Sequence, residues 1–162
     1  HGALKSRKRL TAGPSHPGPA VCRFRWNNKR RSVGRLALMS VSMTMPILIV
    51  DDYNTMIRIM RNLLRQLGFT NIDEANDGAA ALAKMRAKEY ALVISDSYMS
   101  PMSGMEFLQR VRADARTAQT PFVMVANDNA EGSEAHGAST YIVKPFSAQA
   151  LKSTLMPVIG AF

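Results

Sequence analysis

Four consecutive apolar residues, Ile47-Leu48-Ile49-Val50, three of them β-branched, run directly into the paired carboxylates Asp51 and Asp52. A short unbroken apolar run reads as a strand covered on both faces, the environment of a parallel sheet with helices above and below. Two acids at its carboxyl end then stand where open α/β sheets take their ligands, in the crevice beyond the strand ends. Adjacent carboxylates repel, so the pair calls for a cation or a positive side chain. Taken alone, the pair reads equally well as a solvated acidic turn. The decision comes from the residues downstream.

Residues 54–68 place Met56, Met60, Leu63 and Leu67 on one stripe, widened by Ile57 and Leu64, with Arg58, Arg61 and Arg65 opposite. That spacing predicts an amphipathic helix, with Asn54 as its N-cap and Gly68 as its stop. Residues 71–75 read as a short second strand, and Asp77-Gly78 opens an Ala-rich helix to about Lys88. A third strand, Ala91–Ser95, ends on Asp96, and a loop over 97–103 leads to a helix from about Gly104 to Ala113. Pro121–Val125 is a fourth buried strand, ending at Ala126. The polar stretch 127–137 contains Gly132 and Gly137 and has room only for a short helix. Tyr141–Val143 is a fifth strand ending at Lys144-Pro145, and Ser147 caps a last helix to about Leu155. Alternation of this kind predicts an α/β fold, a doubly wound parallel sheet with helices on both faces. Strands one, three and five then bring Asp51 and Asp52, Asp96, and Lys144 to one edge of the sheet.

The charge is unevenly distributed. The net charge is +9, from 21 basic and 12 acidic residues, but ten of the basic residues and none of the acidic ones lie in residues 1–44. Residues 45–162 therefore carry 11 basic against 12 acidic side chains. The natural division is a disordered basic arm over 1–44 and a folded domain over 45–159. The arm reads as an incidental upstream extension, with Met39, Met43 and Met45 as alternative starts. Competing readings are a nucleic-acid arm using Phe24 and Trp26 for stacking, a targeting peptide, or an export signal around Arg30-Arg31. No DNA-binding domain is expected after residue 156, so nucleic acid is not the expected partner. The single cysteine, Cys22, excludes an internal disulfide and a cysteine-based zinc site and makes a reducing, cytoplasmic compartment the default. No apolar run approaches the ~20 residues that span a bilayer, so no membrane association is expected.

Three carboxylates in one crevice form a hard oxygen site suited to Mg2+, which keeps some of its water and welcomes phosphate oxygen. A carboxylate also attacks phosphorus, giving an aspartyl phosphate. Phosphoryl transfer asks mainly for in-line positioning and positive charge on the equatorial oxygens, which one divalent ion and one lysine supply.

Residues 46–156 resemble a response-regulator receiver domain of the chemotaxis CheY type. The likeness rests on Ile49-Val50-Asp51-Asp52-Tyr53-Asn54-Thr55-Met56, Arg61–Phe69, Val93-Ile94-Ser95-Asp96 and Tyr141-Ile142-Val143-Lys144-Pro145-Phe146. The resemblance implies a flavodoxin-like strand order 2-1-3-4-5 and makes Asp96 the phosphoacceptor. It implies direct Mg2+ ligation by Asp52, Asp96 and the backbone carbonyl of Tyr98, with Asp51 acting through water. It pairs Lys144 with Asp96 or its phosphoryl group and makes Tyr141 the aromatic switch residue. The implied partners are a histidine kinase or histidine phosphotransfer protein as donor, and an output protein that the sequence does not name.

Several residues depart from that pattern. Receivers usually end strand four on Thr or Ser, whose hydroxyl bonds the phosphoryl group; Ala126 stands there. Losing a hydrogen bond worth roughly 1.5–3 kcal/mol weakens a phosphorylation-driven population shift about ten- to hundredfold. The span from Ala126 to Lys144 is about four residues short, roughly one helical turn, so the fourth helix is expected to be stunted. Ser100 stands where the family commonly has proline, with Pro101 one place later. The expectation is a single-domain response regulator that accepts phosphate but switches weakly, as a phosphate sink would, without enzymatic turnover beyond its own phosphorylation and dephosphorylation. The alternative is a phosphorylation-independent interaction module on the same fold. A haloacid-dehalogenase-type phosphatase is disfavoured because Tyr98 occupies the place of its second aspartate.

Overall fold

The computed structural model describes residues 41–162, so the readings made on residues 1–40 lie outside the described residues. Strands and helices alternate: β1 (Ile47–Val50), α1 (Asn54–Gln66), β2 (Ile72–Ala75), α2 (Gly78–Ala87), β3 (Leu92–Asp96), α3 (Gly104–Ala113), β4 (Phe122–Ala126), α4 (Asn129–Glu134), β5 (Thr140–Val143) and α5 (Ala148–Ile159). The five strands form one parallel sheet in the order β2-β1-β3-β4-β5.

Alternation along each strand sends successive side chains to opposite faces and builds two cores. Leu48, Val50, Val93 and Met124 face Ala81, Met85, Phe107, Leu108 and Val111 of α2 and α3. Ile47, Ile49, Leu92, Ile94, Val123 and Val125 face Ile57, Met60 and Leu64 of α1 and Leu151 and Leu155 of α5. Residues before β1 lie against this second layer. Val41, Met43 and Met45 pack there, and the Thr70 N–H donates to the Met43 carbonyl at 3.1 Å.

Helix ends differ from the sequence reading in two places. Tyr53, not Asn54, is the N-cap of α1, and its side chain makes no capping bond. Asn54 is the first helical residue, and its Oδ1 accepts from the Asn76 side chain instead. The last helix runs to Ile159 rather than Leu155, with Pro157 in its final turn. A proline removes one N–H and crowds the preceding turn; here the helix continues for only two residues beyond it. Gly68 does follow the C-cap Leu67 with φ +103. The 127–137 stretch holds a helix of six residues.

Candidate functional site

Strand register decides which groups meet. Val50 pairs with Ser95, and Asp96 pairs with Val125, so Asp51 and Asp96 emerge side by side at the carboxyl edge. Ala126 pairs with Val143, and the Lys144 N–H donates to the Ala126 carbonyl at 2.9 Å, setting Lys144 just beyond β4. From there its Nζ reaches 2.5 Å from Asp96 Oδ1 as an ion pair. Both the Ser100-Pro101 and Lys144-Pro145 bonds are cis.

Asp51 is 1% exposed and Asp96 3% exposed. Asp51 Oδ1 accepts from the Tyr53 N–H at 2.8 Å, and Asp96 Oδ2 accepts from the Tyr98 N–H at 3.1 Å. Of their other oxygens, Asp51 Oδ2 is buried without a hydrogen-bond donor, and Asp96 Oδ1 is buried against the Lys144 ammonium. Burial therefore dominates both acidities. It pushes Asp51 up to about 6 against the pull of the Tyr53 N–H, with the Asp96 charge adding to the rise. Burial also raises Asp96, and Lys144 opposes it.

Asp52 is the exposed member of the trio. Its Oδ2 accepts from the Ser100 N–H at 3.2 Å, although its charge still adds to the upward push on both buried acids. Among the described residues no three acidic or histidine side chains stand together as a finished cation cage. What the edge does offer is a buried Asp51 oxygen without a donor, a buried Asp96 oxygen held by Lys144 alone, and a third carboxylate at the rim. That is an oxygen set with negative charge in excess of its one lysine, and it suits a hard divalent cation. The Tyr98 side chain is 67% exposed on the same rim.

The family described as "Response regulator receiver domain" matches residues 47–156, about two thirds of the chain. The chain belongs to the response-regulator receiver family. It is 44% identical over 115 residues to the chemotaxis protein CheY of Pseudomonas aeruginosa, covering 68% of this chain and 93% of that protein. The solved structure of CheY4 from Vibrio cholerae aligns with a TM-score of 0.64 at 31% identity, covering 71% of this chain and 98% of the other. The response regulator TrrA of Thermotoga maritima, solved in complex with Mg2+-BeF, aligns with a TM-score of 0.65 at 27% identity, covering 71% and 99%.

Of the other two expected positions in this receiver, Ala126 stands at the carboxyl edge and Tyr141 two residues short of the end of β5. Ala126 is fully buried at the end of β4. Tyr141 on β5 is half-buried, its ring lying against Gly132 so closely that a Cβ there would overlap it. Gly104, the first residue of α3, packs as closely against the end of β3. A Cβ on it would collide with the Asp96 carbonyl, and its N–H donates to the Ser97 carbonyl at 2.9 Å. α3 can close over the loop after Asp96 only with glycine there. A capping box of Ser103 and Glu106 starts that helix.

Two residues of this receiver site escaped the sequence reading. Glu131, in the first turn of α4, accepts from the Asn127 N–H at 2.7 Å through Oε2. Its Oε1 accepts from the hydroxyl of Ser97, the residue after Asp96. The capping signature Asp128-Asn129-Ala130-Glu131 was legible; the reach to Ser97 was not.

Proposed function

We propose that this receiver takes a phosphoryl group on Asp96 from a histidine kinase or histidine phosphotransfer protein, in a Mg2+-dependent reaction. The observation that carries the reading is the buried Asp96 oxygen with Lys144 Nζ 2.5 Å away. A carboxylate oxygen of Asp96 attacks phosphorus in line. The bond from phosphorus to the donor's imidazole nitrogen breaks, and the donor leaves with the electron pair. Lys144 sits where it would balance charge on the transferring group, and the Tyr98 N–H orients Asp96. Asp51, Asp52, Asp96 and the Tyr98 carbonyl are the groups that would hold Mg2+, which supplies positive charge to the equatorial phosphoryl oxygens when bound.

The same reading makes the output weak in the usual sense. Ala126 has no hydroxyl to follow the phosphoryl group, and α4 is six residues long. A chain that accepts phosphate without the usual hydroxyl-driven switch behaves as a phosphate sink in a cytoplasmic phosphorelay. The test is acetyl phosphate with Mg2+, followed by intact-mass and peptide analysis. The expected result is label on Asp96 and none in Asp96→Asn; equal labelling of both proteins, or of neither, overturns the reading.

A further inference from the structure

The hydroxyl missing at Ala126 leaves open how α4 would sense events at Asp96, and the Glu131 contacts supply a route. One carboxylate oxygen of Glu131 stays at its own helix end, on the Asn127 N–H. This is the ordinary work of an acid in a first turn, supported by the Asp128 carboxylate accepting from the Glu131 N–H at 2.8 Å. The other oxygen leaves the helix and takes the hydroxyl hydrogen of Ser97, 34 positions earlier in the chain. Ser97 is only 8% exposed and rigidly placed. Its N–H donates to the Val125 carbonyl at 3.0 Å, and its own carbonyl accepts from Gly104. The loop carrying Asp96 is thus fastened to α4 through one carboxylate. The next residue along α4, Gly132, is the one that seats the Tyr141 ring.

Resting on the phosphoacceptor reading above, we infer that Glu131 is the positioning residue that couples Asp96 to α4 in this chain, and that it does so by repulsion. Phosphorylation replaces the single negative charge of Asp96 by about two, one residue from the hydroxyl that Glu131 grips. Like charge raises the cost of keeping a carboxylate there. The Ser97 bond releases, α4 loosens, and Tyr141 loses its seat. A Thr hydroxyl would be drawn toward the phosphoryl group; Glu131 is driven from it.

The test is amide hydrogen exchange of residues 129–135 in the full chain, with and without acetyl phosphate and Mg2+, the label on Asp96 being followed by mass in the same samples. In the wild type, exchange in α4 rises about tenfold on phosphorylation, the change expected from losing one charge-assisted hydrogen bond. Glu131→Gln can hold both contacts without the charge, its Oε1 accepting from the Asn127 N–H and its Nε2 donating to the Ser97 hydroxyl oxygen, so it takes label on Asp96 with no such rise. Ser97→Ala exchanges fast before phosphorylation and gains little from it. Label on Asp96 with unchanged α4 exchange, or an equal rise in Glu131→Gln, overturns this inference and leaves the phosphoacceptor reading standing. Absence of label overturns both.

Discussion

The ends of β1, β3 and β5 and the end of β4 lie along the same sheet edge but are built from opposite materials. The first three finish in charge: Asp51 and Asp52, Asp96, and Lys144, with two of the acids buried against their own repulsion. β4 finishes in a buried methyl group, Ala126, and hands its polar contacts to Glu131 on the following helix. If Glu131 couples Asp96 to α4 as inferred above, the chemistry at the strand edge and the means of reporting it are carried by separate elements. The acids and lysine are fixed by strand register, which is rigid. The Glu131 contact hangs on a six-residue helix, which is easily altered.

The sharpest way to break the contrast is to remove its rigid half. Gly104→Ala sets a Cβ against the Asp96 carbonyl, which is backbone and cannot swing aside. A loss of about 3–5 kcal/mol in urea unfolding is expected, within the range of severe core clashes. A loss below about 1 kcal/mol would mean that the β3–α3 loop is looser than its packing.

The buried acids make the next largest difference. Asp51 titrates near 6 when folded, above its unfolded value, so the native state holds a proton that the unfolded chain has released. Stability from this group is therefore greatest below about pH 4 and declines as pH rises through 6, by up to about 3 kcal/mol. Asp51→Asn should remove that part of the slope and be the more stable protein at pH 7. Mg2+ should stabilise the wild type at pH 7 and the variant far less, because binding favours only the folded state. Parallel urea curves for both proteins from pH 4.5 to 7.5, with and without Mg2+, check all three (those pH values bracket the expected step).

Ala126→Thr sharpens the comparison from the other side by restoring a hydroxyl to the end of β4. Coupling between Asp96 phosphorylation and α4 exchange should grow by about tenfold, the worth of one hydrogen bond to a charged group. No growth would mean that the hydroxyl is not what limits the response. The smallest effect is expected at the rim. Ser100 can donate its N–H to Asp52 because it is not a proline. Ser100→Pro frees that carboxylate, and calorimetry with Mg2+ should show affinity rising about two- to fivefold, a typical share of one exposed hydrogen bond. Unchanged affinity would mean that Asp52 turns to the ion without hindrance.

Much of this architecture could be read before any coordinates. Unbroken apolar runs bounded by charge marked the buried strands, and amphipathic spacing marked α1. The glycines in 127–137 marked the short fourth helix. The helix ends were harder. Asn54 had the chemistry of a cap, but a side chain capable of capping bonds whichever partner lies nearest, and Asn76 on the neighbouring loop lies within its reach. The last helix is expected from sequence to end near Leu155, yet it runs through Pro157 to Ile159, because a proline stops a helix only where the preceding turn cannot absorb it.

The order of residues by itself determined that two acids, a third acid and a lysine would stand at one edge, because strands buried on both faces must carry their first charge at their ends. Only the tertiary structure decided which of the adjacent acids is sealed in and which is bonded to Ser100. Only it decided that Glu131 would reach Ser97. Local pattern reports how far a side chain lies along its own element; which groups from distant elements it touches depends on how those elements pack.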